Sequence, residues 1–197
     1  MATVEFYMRG GELRDALRAA TRGAHERLHR HPGLAAIAKG TISRFDYCKV
    51  LTRLLGFHIP FELALGLLPE RSVWLRADLQ SLEAPSSGSA VPLCPYIPRL
   101  ENHAQQLGAR YVMEGAAIGG RQLARRLDLL LGHDGPAGRR YFTGRGTAGG
   151  SDWRSFLGEL AAFEANAASW DSLIEAACET FDIFEHWLAG WSGRPAE

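Results

Sequence analysis

Apolar residues recur at helical spacing along most of the chain, and this periodicity constrains the fold more than any other feature. In residues 11–30, side chains such as Leu13, Leu17, Ala24 and Leu28 share one face of a helix. Comparable patterns predict helices over about 43–68, 73–82, 97–131, 151–168 and 170–191. No segment alternates between apolar and polar residues as a strand would. We therefore predict an all-α bundle of about six to eight helices.

Glycine and proline mark where these helices end or bend. The first helix is predicted to end at Pro32, and Pro60 predicts a kink or break in the second, which Ser43 should cap. The segment from Gly115 to Gly120 predicts an irregularity. Two segments rich in glycine, proline or serine are predicted to be loops, residues 84–95 and 132–150. The predicted organisation is an extension (1–10), one helical domain (11–191) and a tail (192–197).

Charge and cysteine content exclude several classes of partner. Lys and Arg together number 22, as do Asp and Glu, so no net field favours nucleic acid or a membrane surface. The first residues lack the basic start and the apolar run of a signal peptide, so we expect none. No apolar stretch approaches the roughly 20 residues that a membrane-spanning helix needs. Three cysteines without metal-ligand spacing indicate reduced thiols. We expect a soluble, cytoplasmic protein.

One histidine lies at the edge of the first helix's apolar face. At about 100° per residue, His25 falls just outside the apolar stripe, on the flank that also carries Arg14, Arg18 and Arg22. A neutral imidazole is a good iron ligand, and arginines pair with carboxylates such as the propionates of a haem. The same pattern is also typical of a surface histidine among solvated arginines, and the spacing alone leaves both interpretations open.

A second feature is a row of glycines on the helix predicted over 97–131. Gly115 and Gly119 each fall within about 20° of Gly108 on the helical wheel, which leaves one face without side chains. Glycine inside a helix costs about 1 kcal/mol relative to alanine, so the row implies a gain elsewhere. Either another helix packs closely there or a flat ligand lies against the bare backbone.

Other chemistry is weakly represented in the sequence. No HxxxH or HExxH pair at zinc spacing includes His58, His103, His133 or His186, and no phosphate-binding loop follows a strand. His25 and His29 share one helix face and allow at most a loose metal site together with His31. His29 is one turn from His25 and is either its hydrogen-bond partner or a surface residue. No serine, cysteine or carboxylate stands out as a nucleophile. If the chain is an enzyme, a cofactor or the substrate supplies the reactivity.

Three segments together resemble the haem oxygenase family. Residues 13–25 (LRDALRAATRGAH) are similar to its opening helix, residues 107–120 (LGARYVMEGAAIGG) to its glycine-rich distal helix, and residues 177–188 (ACETFDIFEHWL) to its closing helix. The resemblance covers nearly the whole chain and is closest to the biliverdin-producing enzymes that accompany bacterial phytochromes. It implies an all-α, single-domain bundle with haem between the first helix and the kinked distal helix.

The resemblance also implies roles for individual residues. His25 matches the proximal iron ligand, and Gly115, Ala116 and Gly119 match the segment that lies over the opposite face of the haem. Further positions that the resemblance or the basic row places against haem are Arg18, Arg22, Tyr111, Gly120, Arg154 and Phe181. The implied reaction opens haem at a meso carbon to biliverdin, CO and ferrous iron. It uses O2 and electrons from a ferredoxin or an NAD(P)H reductase, and a bacteriophytochrome is a possible recipient of biliverdin.

One departure from the family pattern concerns Ala116. Well-known members carry Asp or Ser at this position, where the side chain anchors the water that serves bound O2, and alanine provides no such group. Candidates for a substitute are Tyr111, Arg121 and Gln122. The departure leaves open a haem-binding or trafficking protein without efficient turnover. A third reading, a related helical enzyme acting on a thiamine-like compound, needs a reactive cysteine among Cys48, Cys94 and Cys178.

Overall fold

The described residues form helices only, as the periodicity predicted. The computed structural model describes the backbone of residues 2–83, 90–133, 135–144, 149–163 and 167–191, with side chains in these ranges except at 2–10, 149–152 and 167. The helices are α1 (Ala2–His29), α2 (Pro32–Lys39), α3 (Arg44–Ala64), α4 (Glu70–Ser81), α5 (His103–Arg126), α6 (Asp128–Leu131), α7 (Arg140–Thr143), α8 (Gly149–Ala162) and α9 (Ala167–Ala189).

Helix α9 lies at the centre of the core, where it packs against α1, α3 and α5. Its inward side chains include Leu173, Ala177 and Leu188, all fully buried. Helix α1 contributes the buried Leu13 and Leu17, the face that the spacing predicted. Because α1 and α5 each pack on α9, this helix fixes the positions of the first helix and the glycine-rich helix.

Short polar side chains cap the helices of the core. The Ser43 hydroxyl precedes α3 and accepts a hydrogen bond from the Asp46 N–H at 3.1 Å, so the predicted cap is confirmed. Asn102 precedes α5, and its Oδ1 accepts from the Gln105 N–H at 3.0 Å. Helix α5 therefore begins at His103, later than the predicted start near residue 97.

Pro60 lies inside α3 without breaking it, and one hydrogen bond explains why. A proline has no N–H, so it leaves the carbonyl four residues earlier, at Gly56, without its helical partner. In this fold the Cys94 N–H donates to the Gly56 carbonyl at 2.9 Å. The irregular segment that includes Pro92 and Cys94 crosses α3 at Gly56, where a Cβ would overlap the Pro92 carbonyl. The sequence could not reveal this partner because it lies far along the chain.

Several predicted boundaries were wrong. Helix α1 begins at Ala2 rather than near residue 11. Pro32, which was predicted only to end the first helix, is also the first residue of α2. A proline fits there because the first turn of a helix needs no hydrogen bond from its nitrogen. Helix α5 continues through the glycines from 115 to 120 without a change of helix type. Residues 84–89 of one predicted loop and the predicted tail 192–197 lie outside the described residues.

The segment 132–150, predicted to be an exposed loop, is partly structured and buried. It contains α7, with Phe142 buried, and Arg139 is 6% exposed. The Arg139 guanidinium contacts the Asp128 carboxylate and donates to the carbonyls of Ala124 and Gly132. Hydrogen bonds rather than apolar periodicity hold this segment, which explains why the sequence pattern missed it. No helix among the described residues is long and apolar enough to cross a membrane.

Candidate functional site

His25 lies on the exposed flank of α1, beside α9. Its ring contacts the Phe181 ring edge-to-face, with centroids 6.5 Å apart, and the His29 ring at 4.5 Å. Phe181 is 7% exposed, so it anchors the contact in the core. The helix thus presents an imidazole at the border between the apolar core and the surface.

The surroundings of His25 favour its neutral form. Desolvation against neighbouring side chains is the largest influence and lowers the pKa of His25, and the charge of His29 lowers it further, while Glu26 opposes the shift. An imidazole whose pKa lies below the usual 6.5 is largely unprotonated at neutral pH and has a free lone pair for a metal. His25 can therefore act as a ligand, whereas no cluster of three or more metal-binding side chains occurs among the described residues.

Helices α1 and α5 are joined by Tyr111. Its phenol hydroxyl lies near the Thr21 hydroxyl, which donates a hydrogen bond to the Leu17 carbonyl at 2.7 Å. Burial raises the pKa of Tyr111, and the positive charges of Arg18 and Arg14 oppose the shift. These arginines are exposed and belong to the basic row of α1. The structure thus brings part of the predicted basic row next to Tyr111.

Helix α8 closes the other side of Tyr111. The Trp153 ring lies 5.9 Å from the Tyr111 ring and 5.7 Å from the Phe156 ring. Arg154 follows Trp153 and is exposed, as is Arg22 on α1. The predicted basic residues therefore occur on α1 and α8, two helices that pack against each other, and they remain accessible to an anionic ligand.

The row of glycines on α5 serves two separate purposes. At Gly108 a Cβ would overlap the Leu173 carbonyl and lie 3.1 Å from the Ala176 Cβ, so this glycine allows α5 to pack on α9. At Gly115 and Gly119 a Cβ would meet no heavy atom of the described residues within 4 Å. The bare face at these two positions borders open space. Close packing therefore explains Gly108, whereas no described residue packs against Gly115 or Gly119.

Two neighbouring positions on α5, Gly120 and Ala116, differ in their surroundings. A Cβ at Gly120 would lie 3.1 Å from the Phe142 carbonyl, so α7 packs against the helix there. Ala116 and Ala117 are exposed, and Ile118 is 43% exposed. From residue 115 to 119 the helix therefore offers backbone and small apolar groups, and no polar side chain, to the open space.

Directly before this face, α5 contacts a buried polar cluster that the sequence did not reveal. It comprises His58, Glu62, Arg71, Asp78, Glu114 and Tyr141. The Arg71 guanidinium donates to the Glu114 carboxylate at 3.0 Å and to the Met113 carbonyl at 3.2 Å, directly before Gly115. The Glu62 carboxylate accepts from the Arg71 N–H at 2.7 Å and so caps α4. The one sequence signal was the presence of His58 and Glu62, four residues apart, in an otherwise apolar stretch.

The second half of the buried polar cluster holds α7 in place. The fully buried Asp78 carboxylate accepts from the N–H groups of Arg140 and Tyr141, at 2.8 and 2.9 Å. The Tyr141 hydroxyl lies 2.8 Å from His58 Nε2. Burial raises the pKa of Tyr141 to about 12, and burial together with the charge of Arg71 lowers the pKa of His58 well below its usual value. Both groups are therefore neutral over the physiological range.

The cysteines do not form a reactive site. Cys48 and Cys94 are buried and Cys178 is partly exposed, and burial is the main cause of the raised pKa of each thiol. A nucleophilic cysteine needs a lowered pKa and access to substrate. The observation argues against the thiamine-related reading, which required an activated thiol.

Comparison with known proteins decides the family. The family model described as Heme oxygenase matches residues 11–190. The chain belongs to the haem oxygenase family. A sequence comparison with curated proteins gives no match.

Two solved structures show the haem oxygenase fold. Heme oxygenase-1 from the cyanobacterium Synechocystis sp. PCC6803, in complex with heme, aligns with a TM-score of 0.65 at 16% identity, over 90% of each chain. Heme oxygenase from Leptospira interrogans aligns with a TM-score of 0.67 at 16% identity, over 90% of this chain and 98% of that one. The predicted all-α haem oxygenase fold is therefore confirmed, and the haem oxygenase family is one of oxidoreductases.

Proposed function

We propose that this haem oxygenase family member binds haem between α1 and α5 and opens it to biliverdin, CO and ferrous iron. The observation that supports the proposal best is the open space at Gly115 and Gly119, where neither glycine is needed for packing. A flat macrocycle can lie directly against a helix backbone only where side chains are missing, and two glycines one turn apart provide such a face. The largely neutral His25 on α1 would hold the iron through its imidazole.

The residues around this space fit haem in charge as well as in shape. Arg18, Arg22 and Arg154 are exposed cations that would pair with the two propionates. Tyr111 would contribute its ring edge and hydroxyl between α1 and α8, and Phe181 would pack beside the proximal imidazole. Haem bound there would supply the redox chemistry, since its own meso carbon is oxidised by O2 with electrons from a ferredoxin or an NAD(P)H reductase.

The protein's own contribution would be to hold and orient the haem and to leave room beside it. A thiolate ligand donates electron density strongly to iron and so favours O–O cleavage. A neutral imidazole binds iron without this strong donation. On the other side of the haem, the bare backbone at Gly115 and Gly119 would leave room for bound O2 at one edge of the macrocycle, where a bulky side chain would block it. Gly120, held against α7, would fix where this bare segment ends. A bacteriophytochrome is the recipient of biliverdin that the sequence resemblance suggests.

A second candidate function is haem binding without efficient turnover. It is favoured by the exposed Ala116, since residues 115–119 offer no hydrogen-bonding side chain to a ligand. Of the substitutes considered from the sequence, Tyr111 places its hydroxyl near Thr21. A protein that only carries haem would need His25 and the bare face but no polar group beside the iron.

The two candidates are separated by adding haemin to the purified protein and then a reductant in air. Both predict a Soret band typical of histidine ligation. Only the oxygenase predicts that this band decays while the broad absorption of biliverdin appears, with CO released. A stable Soret band under reducing conditions would support the carrier, and no Soret shift on adding haemin would reject both.

The ligand assignment is tested by His25→Ala, with His133→Ala as the matched control. The His133 side chain is 85% exposed on a different part of the surface, so its removal should leave the haem spectrum unchanged. The His25 variant should lose the native spectrum, and added imidazole should restore it. An unchanged spectrum in the His25 variant would show that another residue binds the iron.

A further inference from the structure

We infer that His58 holds an ordered water molecule through its Nδ1 and that this water, backed by Arg71, replaces the polar side chain that Ala116 lacks. The purpose assigned to the water rests on the proposed function. Its existence does not, because it follows from the buried polar cluster itself. His58 would thus be a positioning residue for a ligand on the bare face of α5.

The first observation is an unpaired nitrogen in the core. His58 is 2% exposed, and its Nε2 is occupied by the Tyr141 hydroxyl at 2.8 Å. Its Nδ1 is buried and has no hydrogen-bond partner among the described residues. Buried polar atoms are nearly always paired, and where protein provides no partner an ordered water usually does. The imidazole therefore has one nitrogen for the protein and one available to a water.

The second observation is the charge beside it. Arg71 is close enough for its positive charge to lower the pKa of His58, in addition to the larger effect of burial. A neutral imidazole has one donor and one acceptor nitrogen, so it can order a water without carrying charge into the core. A water needs two to four polar partners to be held, and a guanidinium with five N–H donors is a suitable second partner.

The third observation is the position of Arg71. Its guanidinium donates to the Met113 carbonyl and to the Glu114 carboxylate, the two residues before Gly115. The side chains of Arg71 and Glu114 are 15% and 19% exposed, so the cluster is not sealed from the surface. A polar group that touches α5 at this point lies at the start of the segment where a polar side chain is missing. The cluster therefore contacts α5 immediately before the bare face begins.

A purely structural role for His58 makes a different prediction. In that case its function is to pair with Tyr141 and hold α7, and only Nε2 matters. Two amide substitutions separate the roles, because an Asn amide lies near the position of Nδ1 and a Gln amide reaches the position of Nε2. His58→Asn therefore keeps the group that would bind water, and His58→Gln keeps the group that binds Tyr141.

The experiment measures haem affinity and biliverdin formation in both variants, with circular dichroism as the check on folding. We expect unchanged haem affinity in both, near wild-type turnover in His58→Asn, and turnover lowered at least about tenfold in His58→Gln, the size usual for a lost outer-shell partner. Equal turnover in the two variants, or the opposite order, would overturn the inference in favour of a structural role.

The haem-free protein provides the independent readout. Nuclear Overhauser contacts between the His58 ring protons and a long-lived water should be present in the wild type, and their absence would refute the inference without any variant. If the wild type binds haem but never releases biliverdin, the proposed function fails instead. In that case the water contact alone decides whether His58 holds a water.

Discussion

Replacing the glycines of α5 by alanine should affect stability and haem binding in opposite directions. The variants are Gly115→Ala and Gly119→Ala, with Gly108→Ala as the contrast on the same helix face. All three glycines lie in a helix interior, so alanine gains helix propensity at each. They differ in what the new methyl group would meet: open space at the first two positions and the Leu173 carbonyl at the third.

The expected size of the effect follows from these surroundings. Alanine in place of glycine inside a helix stabilises by about 0.5–1 kcal/mol where nothing obstructs the methyl group. The double variant at positions 115 and 119 should therefore gain about 1–2 kcal/mol, which raises Tm by roughly 2–8 °C for a chain of this length. At Gly108 the backbone of α9 must move, and overpacking of this kind costs about 1–3 kcal/mol.

The assay is thermal or urea unfolding of the haem-free proteins, followed by haem titration of the same samples. If haem lies on the bare face, the added methyl groups at 115 and 119 occupy its space, and affinity should fall by at least about tenfold, or roughly 1.4 kcal/mol. Gly108→Ala should lower Tm, and its haem affinity should be unchanged at temperatures where it is folded.

Two results would refute this reasoning. If alanine at 115 and 119 stabilises the protein while haem binds as tightly as before, haem lies elsewhere and the open space has another use. If alanine at these positions destabilises the haem-free protein, the space is filled in solution and the bare face does not exist in that state.

Three further predictions follow from the buried groups. Below pH 6.5 the free energy of unfolding of the haem-free protein should fall by up to about 1.4 kcal/mol per pH unit, because His58 stays neutral in the folded state and takes up a proton in the unfolded chain. Urea unfolding of His58→Gln should show a weaker dependence of this free energy on pH. A residual dependence should remain, because the pKa of His25 is also lowered. Asp78→Asn should lower the free energy of unfolding by about 1–3 kcal/mol, because an amide has only one acceptor oxygen for the N–H groups of Arg140 and Tyr141 in α7. An unchanged urea midpoint would contradict this role of Asp78. Tyr111→Phe should weaken haem binding, because it removes the hydroxyl that lies near Thr21 between α1 and α5, whereas equal haem affinity would remove Tyr111 from the site.

The helix faces were predictable because each is a local property of the sequence. Leu13 and Leu17 recur at helical spacing, and both are buried. Ser43 could be identified as a cap because the hydrogen bond it makes spans only three residues. The flank position of His25 follows from the same spacing, and the structure adds its contact with Phe181 on α9.

The polar interior could not be predicted, because its partners are distant in sequence. His58 and Tyr141 are 83 positions apart, and Asp78 meets Tyr141 across 63. No periodicity encodes such pairs, and a histidine between apolar residues gives no sign of which nitrogen is occupied. The same reason explains α3, whose continuity through Pro60 depends on the Cys94 N–H.

The glycines of α5 show how much of the site only the structure could reveal. On the helical wheel Gly108, Gly115 and Gly119 share one face, and the sequence left the same two explanations, close packing or a flat ligand, open for all three. The structure assigns a packing partner to Gly108 on α9 and another to Gly120 on α7, so the free energy lost in the helix is offset there by close contact. Gly115 and Gly119 receive no such compensation from the described residues. The haem proposed above, lying against them, would explain their stability cost, and the bare segment therefore supports that proposal more strongly than His25 does.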